Sequence, residues 1–142
     1  MGRVFKTRYF ARWLRKTQLT DSALCAAIAE MVAGLVDANL GGGVFKKRVA
    51  LSGKGKSGSA PTLVATQKGK RWIFVFGFEK NERGNISPTE LDAVQQIAGD
   101  LLRLTEDELN VHLANQALTE ICHDTPYQNQ YQDQQQDPRG NA

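Results

Sequence analysis

The polar run Glu79-Lys80-Asn81-Glu82-Arg83-Gly84-Asn85 directly follows an apolar stretch, Trp72 to Phe78. A lysine and a glutamate held close together shift each other's pKa and can divide acid and base roles between them. An ordinary polar turn with a local ion pair, worth about 0–1 kcal/mol, fits the same letters. A second run, Gly53-Lys54-Gly55-Lys56-Ser57-Gly58, sets two lysines among glycines and follows the basic triplet Lys46-Lys47-Arg48. Flexible glycines with interleaved lysines suit contact with an irregular phosphate backbone. A solvated hairpin loop would look no different, so both readings stay open here.

Other chemistries fall away. The second run matches G-x-G-x-x-G by letter, but Ser59-Ala60-Pro61 and a strand follow it, where a dinucleotide fingerprint needs a helix N-terminus. Gly55-Lys56-Ser57 fails as a P-loop because Ala50 occupies the place of the first glycine. His112 and His123 lie far from the basic segments and read as surface or packing residues. No serine or cysteine has a triad setting, and no carboxylates have metal-ligand spacing. Cys25 and Cys122 stand far apart without a C-x-x-C, so neither a zinc site nor a disulfide is expected, and Cys25 reads as a small buried hydrophobe. Trp13 and Trp72 read as core residues.

The elements that must position these runs follow from periodicity. A short strand is predicted at Arg3 to Lys6, then a helix from Thr7 to Lys16 with Phe10, Trp13 and Leu14 on one face. Thr20 or Asp21 caps a second helix carrying Leu24, Ile28, Met31, Val32, Leu35 and Val36, stopped by Asn39 and Gly41-Gly42-Gly43. Strands are predicted at Val44–Val49, Thr62–Gln67 and Arg71–Phe78; the last is apolar almost throughout, as a central strand covered on both faces should be. Ser87-Pro88-Thr89-Glu90 and Thr105-Glu106-Asp107-Glu108 are capping boxes, each opening a helix, the second ending near Glu120. The expected fold is a small α+β domain: an antiparallel sheet of about four strands with two N-terminal helices and the C-terminal helices packed on it.

With 142 residues, 41% hydrophobic and 23% charged, the chain fits one soluble domain able to bury a core. Residues 1–122 form that domain. Residues 123–142 are rich in Gln and Asn and are expected to be a disordered tail. The absence of an apolar leader or membrane-length run points to the cytoplasm. The net charge of +3 hides an asymmetry: the first 83 residues hold 16 of the 18 Lys and Arg but 5 of the 15 acids, a balance of +11. Such a body suits a polyanion partner. The acidic helix after Thr105 could cover the basic face of its own chain or a neighbour.

Three segments together resemble the RelE/HigB branch of the RelE/ParE toxins of type II toxin–antitoxin modules. They are Val4-Phe5-Lys6-Thr7 leading into Phe10-Ala11-Arg12-Trp13, then Gly41 to Gly58, then Phe74-Val75-Phe76-Gly77-Phe78-Glu79-Lys80-Asn81-Glu82-Arg83. The resemblance covers about residues 3–120. It implies a RelE-like fold, a cognate antitoxin, and a ribosome-dependent mRNA endoribonuclease (an mRNA interferase) that inhibits translation without metal or cofactor. The reaction it implies is attack by the ribose 2′-OH on its own 3′ phosphate, needing a base, cations for the phosphorane and an acid for the leaving oxygen. Carried over by position, Lys54, Lys56, Lys80, Glu82 and Arg83 would be catalytic, with Lys80 or Glu82 as proton carriers. Lys46, Lys47, Arg48, Lys54 and Lys56 would bind RNA from the message and the ribosome.

One departure stands out. Where the family reads Gly-Tyr-Arg-Thr or Ser-Ala-Arg-Thr after Lys-Ser-Gly, this chain has Ser59-Ala60-Pro61-Thr62. Pro61 removes a cation and a backbone N–H from the implied phosphate site. The chain therefore reads as an attenuated toxin or as an inactive module that keeps the fold and binds antitoxin or RNA. A ParE-like gyrase inhibitor on the same fold is a weaker alternative, because the lysine loop and the Lys80 edge look like ribonuclease features.

Overall fold

The computed structural model describes residues 2–51, 58–80 and 84–123. Lys54, Lys56, Glu82, Arg83 and nearly all of the expected tail lie outside the described residues. Strand β1 (Arg3–Thr7) runs directly into helix α1 (Arg8–Leu14), because the Thr7 hydroxyl accepts the Phe10 N–H and caps the first turn. Helix α2 (Asp21–Val32) is capped in the same way by Thr20. Strands β2 (Ala38–Gly41), β3 (Val44–Ala50), β4 (Ser59–Thr66) and β5 (Arg71–Gly77) follow. Helices α3 (Pro88–Leu102) and α4 (Glu106–Ala114) each open on a complete capping box, and strand β6 (Leu118–Ile121) closes the domain.

The sheet order is β2-β3-β4-β5-β1-β6, antiparallel throughout except where β1 lies parallel to β5. The expectation of an antiparallel sheet of about four strands is thus corrected to a mixed sheet of six. Two short strands account for the difference. Helix α2 stops at Val32, with Gly34 at φ +95°, so Val32, Leu35 and Val36 are exposed despite their helical spacing, and the chain is free to form β2. Helix α4 stops at Ala114, and Gln116 at φ +65° turns the chain back as β6 instead of carrying the helix toward Glu120. Strand β4 also begins three residues before Thr62, taking Pro61 into the sheet.

Helices cover both sheet faces. Phe10, Leu14, Leu24 and Ile28 from α1 and α2 pack with Val4, Val49, Val64, Trp72 and Phe74 on one side. Val94, Ala98, Leu101 and Leu109 from α3 and α4 pack with Phe5, Leu63, Ile73 and Val75 on the other. Burying side chains of this size stabilises the fold by roughly 1.5–3 kcal/mol each. The alternation within β5, Trp72 and Phe74 on one side and Ile73 and Val75 on the other, is what its unbroken apolar run predicts for a central strand. Position 77, the last of β5, has to be glycine because the Trp13 ring of α1 lies where a Cβ would stand. The β2–β3 turn needs Gly41, Gly42 and Gly43, all at positive φ.

A covalent tie also corrects the sequence reading. Cys25 of α2 and Cys122, just past β6, form a disulfide across a sequence separation of 97. Linear distance hid the pairing: β6 returns alongside β1 and delivers Cys122 into the core beneath α2. Among the described residues no helix is long and apolar enough to cross a membrane.

Candidate functional site

The described residues that flank the two runs, Leu51 and Gly58 for one and Lys80 for the other, lie at one end of the sheet. There β3 and β5 finish, β4 begins, and β1 passes into α1. Residues directly opposite in a ladder share a face. Lys46 pairs with Leu63, Leu63 with Phe76, and Arg48 with Pro61, so these side chains belong to the face that α3 and α4 cover further along. Arg48 is exposed at the open end. Its backbone N–H donates to Asp37 Oδ2 at 2.6 Å, and its guanidinium stands 3.7 Å from Asp37 Oδ1.

Lys47 points the other way. It is buried on the α2 side, with Nζ 2.6 Å from Glu30 Oε1. The triplet Lys46-Lys47-Arg48 is therefore split by strand alternation, two cations to the open face and one to a helix.

Pro61 is buried in a strand with neighbours on both sides, an unusual place for proline. Its carbonyl accepts the Phe78 N–H at 3.2 Å. The bond it cannot return is the reciprocal one to Phe78, one residue past the end of β5, so the ladder loses nothing inside the sheet.

Tyr9, which sequence reasoning passed over, belongs to the same end. Its ring stacks on Phe76 with centroids 5.8 Å apart and planes within 7°, and Phe76 in turn touches Phe78 at 6.3 Å. Tyr9 is 56% exposed, a large aromatic left open at the surface. The available signal was its place one residue off the Phe10–Trp13–Leu14 stripe, which marks it as turned away from the core.

The two remaining segments are anchored here. The Leu51 N–H donates to Gly58 O at 2.6 Å, so the chain bearing Lys54 and Lys56 leaves and returns at this end. Lys80 is exposed in the turn after Phe78, immediately before Asn81, Glu82 and Arg83. Among the described residues no group of three or more His, Cys, Asp or Glu could hold a metal ion.

The acidic first turn of α4 lies away from this site. Its first residue, Glu106, pairs instead with Arg3 at 3.2 Å and Arg71 at 3.3 Å at the opposite end of the sheet. Arg3 also forms a two-pronged contact with Glu120 of β6, at 2.9 and 2.8 Å. That contact holds the Glu120 carboxyl below its ordinary value and raises the Arg3 guanidinium.

A small α+β domain with helices on both faces of a mixed sheet and one cationic, aromatic-lined sheet end is the class these features define. The chain belongs to the RelE family: the RelE toxin of the RelE/RelB toxin–antitoxin system matches residues 2–121. It is accordingly the toxin side of a toxin–antitoxin module, and its family implies a cognate antitoxin. No curated protein matches the chain.

Proposed function

We propose that this chain is a ribosome-dependent mRNA endoribonuclease of the toxin type, attenuated at Pro61. The observation that supports this most is the meeting of Lys46, Arg48 and the exposed Tyr9 at the sheet end from which the lysine loop and the Lys80 turn both depart. Cations there would hold the scissile phosphate and the charge of the pentacoordinate state, and Tyr9 offers a stacking platform for a base. Lys54 and Lys56 would stabilise the phosphorane; Lys80 or Glu82 would carry the protons; Arg83 would add charge at the edge. Lys47, committed to Glu30, would act by holding β3 on α2 while Lys46 and Arg48 contact RNA.

Pro61 favours a second reading, a module that keeps the fold and binds antitoxin or RNA without cutting. The test is mRNA cleavage on programmed ribosomes by this chain and by Pro61→Arg. Cleavage by either supports the endonuclease, and cleavage only by Pro61→Arg marks a disarmed one. Cleavage by neither, with antitoxin binding intact, leaves the binding module. DNA damage without mRNA cleavage would turn the reading toward a gyrase inhibitor.

A further inference from the structure

Beside the candidate site, a cavity of about 590 Å³ opens between α1 and the α4–β6 turn, lined by Arg8, Arg12 and Arg15 on one wall and Gln116, Thr119 and Glu120 on the other. The three arginines fall at i, i+4 and i+7, one face of a helix, and span about 10 Å along its axis. Arg8 is fixed: its guanidinium donates to Asn115 O at 2.6 Å and Gln116 O at 3.2 Å, where α4 ends and its carbonyls need donors. Arg12 and Arg15 are exposed, and their guanidinium groups have no ion-pair or hydrogen-bond partner among the described residues. The one carboxylate in the lining, Glu120, is taken up by Arg3. The groove is therefore an array of donors with its negative charge already compensated.

We propose that this groove is a second RNA-binding surface, which takes the sugar–phosphate backbone of an RNA duplex. This rests on the reading above, since a toxin working inside a ribosome must grip RNA beyond the strand it cuts. Guanidinium groups match phosphate in two-pronged fashion, and a row of them on one helix follows a backbone without reading its sequence. An acidic peptide would need apolar anchors, and the walls offer only Ala11, Leu113 and Leu118. Continuity argues the same way: Tyr9 of the candidate site and Arg8 of the groove are neighbours at the start of α1.

The test is binding of the full chain to a short RNA duplex that contains no message, titrated with salt, for the parent and for Arg12→Gln/Arg15→Gln. The expected result is an affinity about tenfold lower or worse near physiological salt, with the log–log salt slope shallower by about 1.4 to 1.8. Arg12→Lys/Arg15→Lys keeps the slope, and antitoxin binding is the same in all three, which also shows that each is folded. Unchanged RNA affinity in the glutamine variant, or no duplex binding by the parent, overturns the proposal. So does lost antitoxin affinity with RNA affinity intact, which would give the groove to an acidic protein segment. The assay reads no cleavage, so failure of the endonuclease reading would show separately, on ribosomes.

Discussion

Arg48 and Pro61 stand directly opposite each other across β3 and β4, on the face that opens at the candidate site. A cation at position 61 would be set against the Arg48 side chain, and like charges directly opposite are destabilising unless an anion sits between them. On the proposed reading the two positions would form a phosphate clamp, of which this chain keeps the Arg48 side. Pro61→Arg should raise cleavage on programmed ribosomes by about 100-fold or more, the scale of one well-aimed donor to a developing charge. It should also lower the melting temperature slightly, with bound RNA restoring it. Unchanged cleavage would show that position 61 carries no catalytic weight.

The split of Lys46, Lys47 and Arg48 between two faces makes a prediction that sequence adjacency would not. Lys46→Gln and Arg48→Gln should each weaken RNA binding and lower the salt slope by up to about 1, with little change in stability. Glu30→Ala leaves the buried Lys47 ammonium without its carboxylate and should cost about 1–3 kcal/mol in urea unfolding. Lys47→Met, which removes the charge and keeps the stem, should cost less. Lys47→Met weakening RNA binding as strongly as Arg48→Gln, with stability unchanged, would return Lys47 to the RNA face.

What the sequence made legible follows from how local each signal is. The capping boxes at Ser87 and Thr105, the Phe10–Leu14 stripe and the β5 run are set by neighbouring residues, and all stand where periodicity puts them. Strands β2 and β6 are four residues each, too short for a period, and both follow helices whose apolar residues overrun the true end. The Cys25–Cys122 bridge depends on β6 and so was illegible for the same reason. At the site, Lys46 and Arg48 are visible as charges, but Tyr9 becomes significant only when β1 and β5 lie parallel and Phe76 comes under its ring.

Tyr9 should contribute through its ring. Base–aromatic stacking is worth about 1–3 kcal/mol per base, so Tyr9→Ala should lower affinity for single-stranded RNA at least fivefold while Tyr9→Phe holds it. Cleavage separates the phenol's role: if Tyr9→Phe also loses cleavage at saturating RNA, the hydroxyl takes part in proton transfer.

The Arg3–Glu120 contact gives stability a dependence on pH. Because the folded carboxyl titrates below its unfolded value, its contribution is complete above the ordinary carboxylate range and is lost as pH falls through the lowered value. The raised Arg3 value lies beyond this range and adds no slope. Unfolding free energy should therefore be steadier near neutrality and fall below about pH 4. Glu120→Gln should lessen that fall and cost at most about 1 kcal/mol at neutral pH, since the pair is only partly buried. An identical acid profile in the variant would mean that β6 is held without this pair.

The disulfide provides a strong lever on stability. Closing a loop between residues separated by 97 positions restricts the unfolded chain, and the chain-entropy account puts the gain near 4–5 kcal/mol, an upper figure for a real fold. Cys122 follows β6, a four-residue edge strand also held by its pairing with β1, by Leu118 and Ile121 in the core, and by the Arg3–Glu120 contact. Reduction should release this edge first. Thermal melts with and without dithiothreitol should differ by about 10 °C, as should the parent and Cys25→Ser/Cys122→Ser. Amide exchange should then accelerate in β6 before it does in β5, which is buried on both faces. Reduction that leaves the melting temperature and β6 protection unchanged would show that the core and the β1 ladder hold the edge without the bridge.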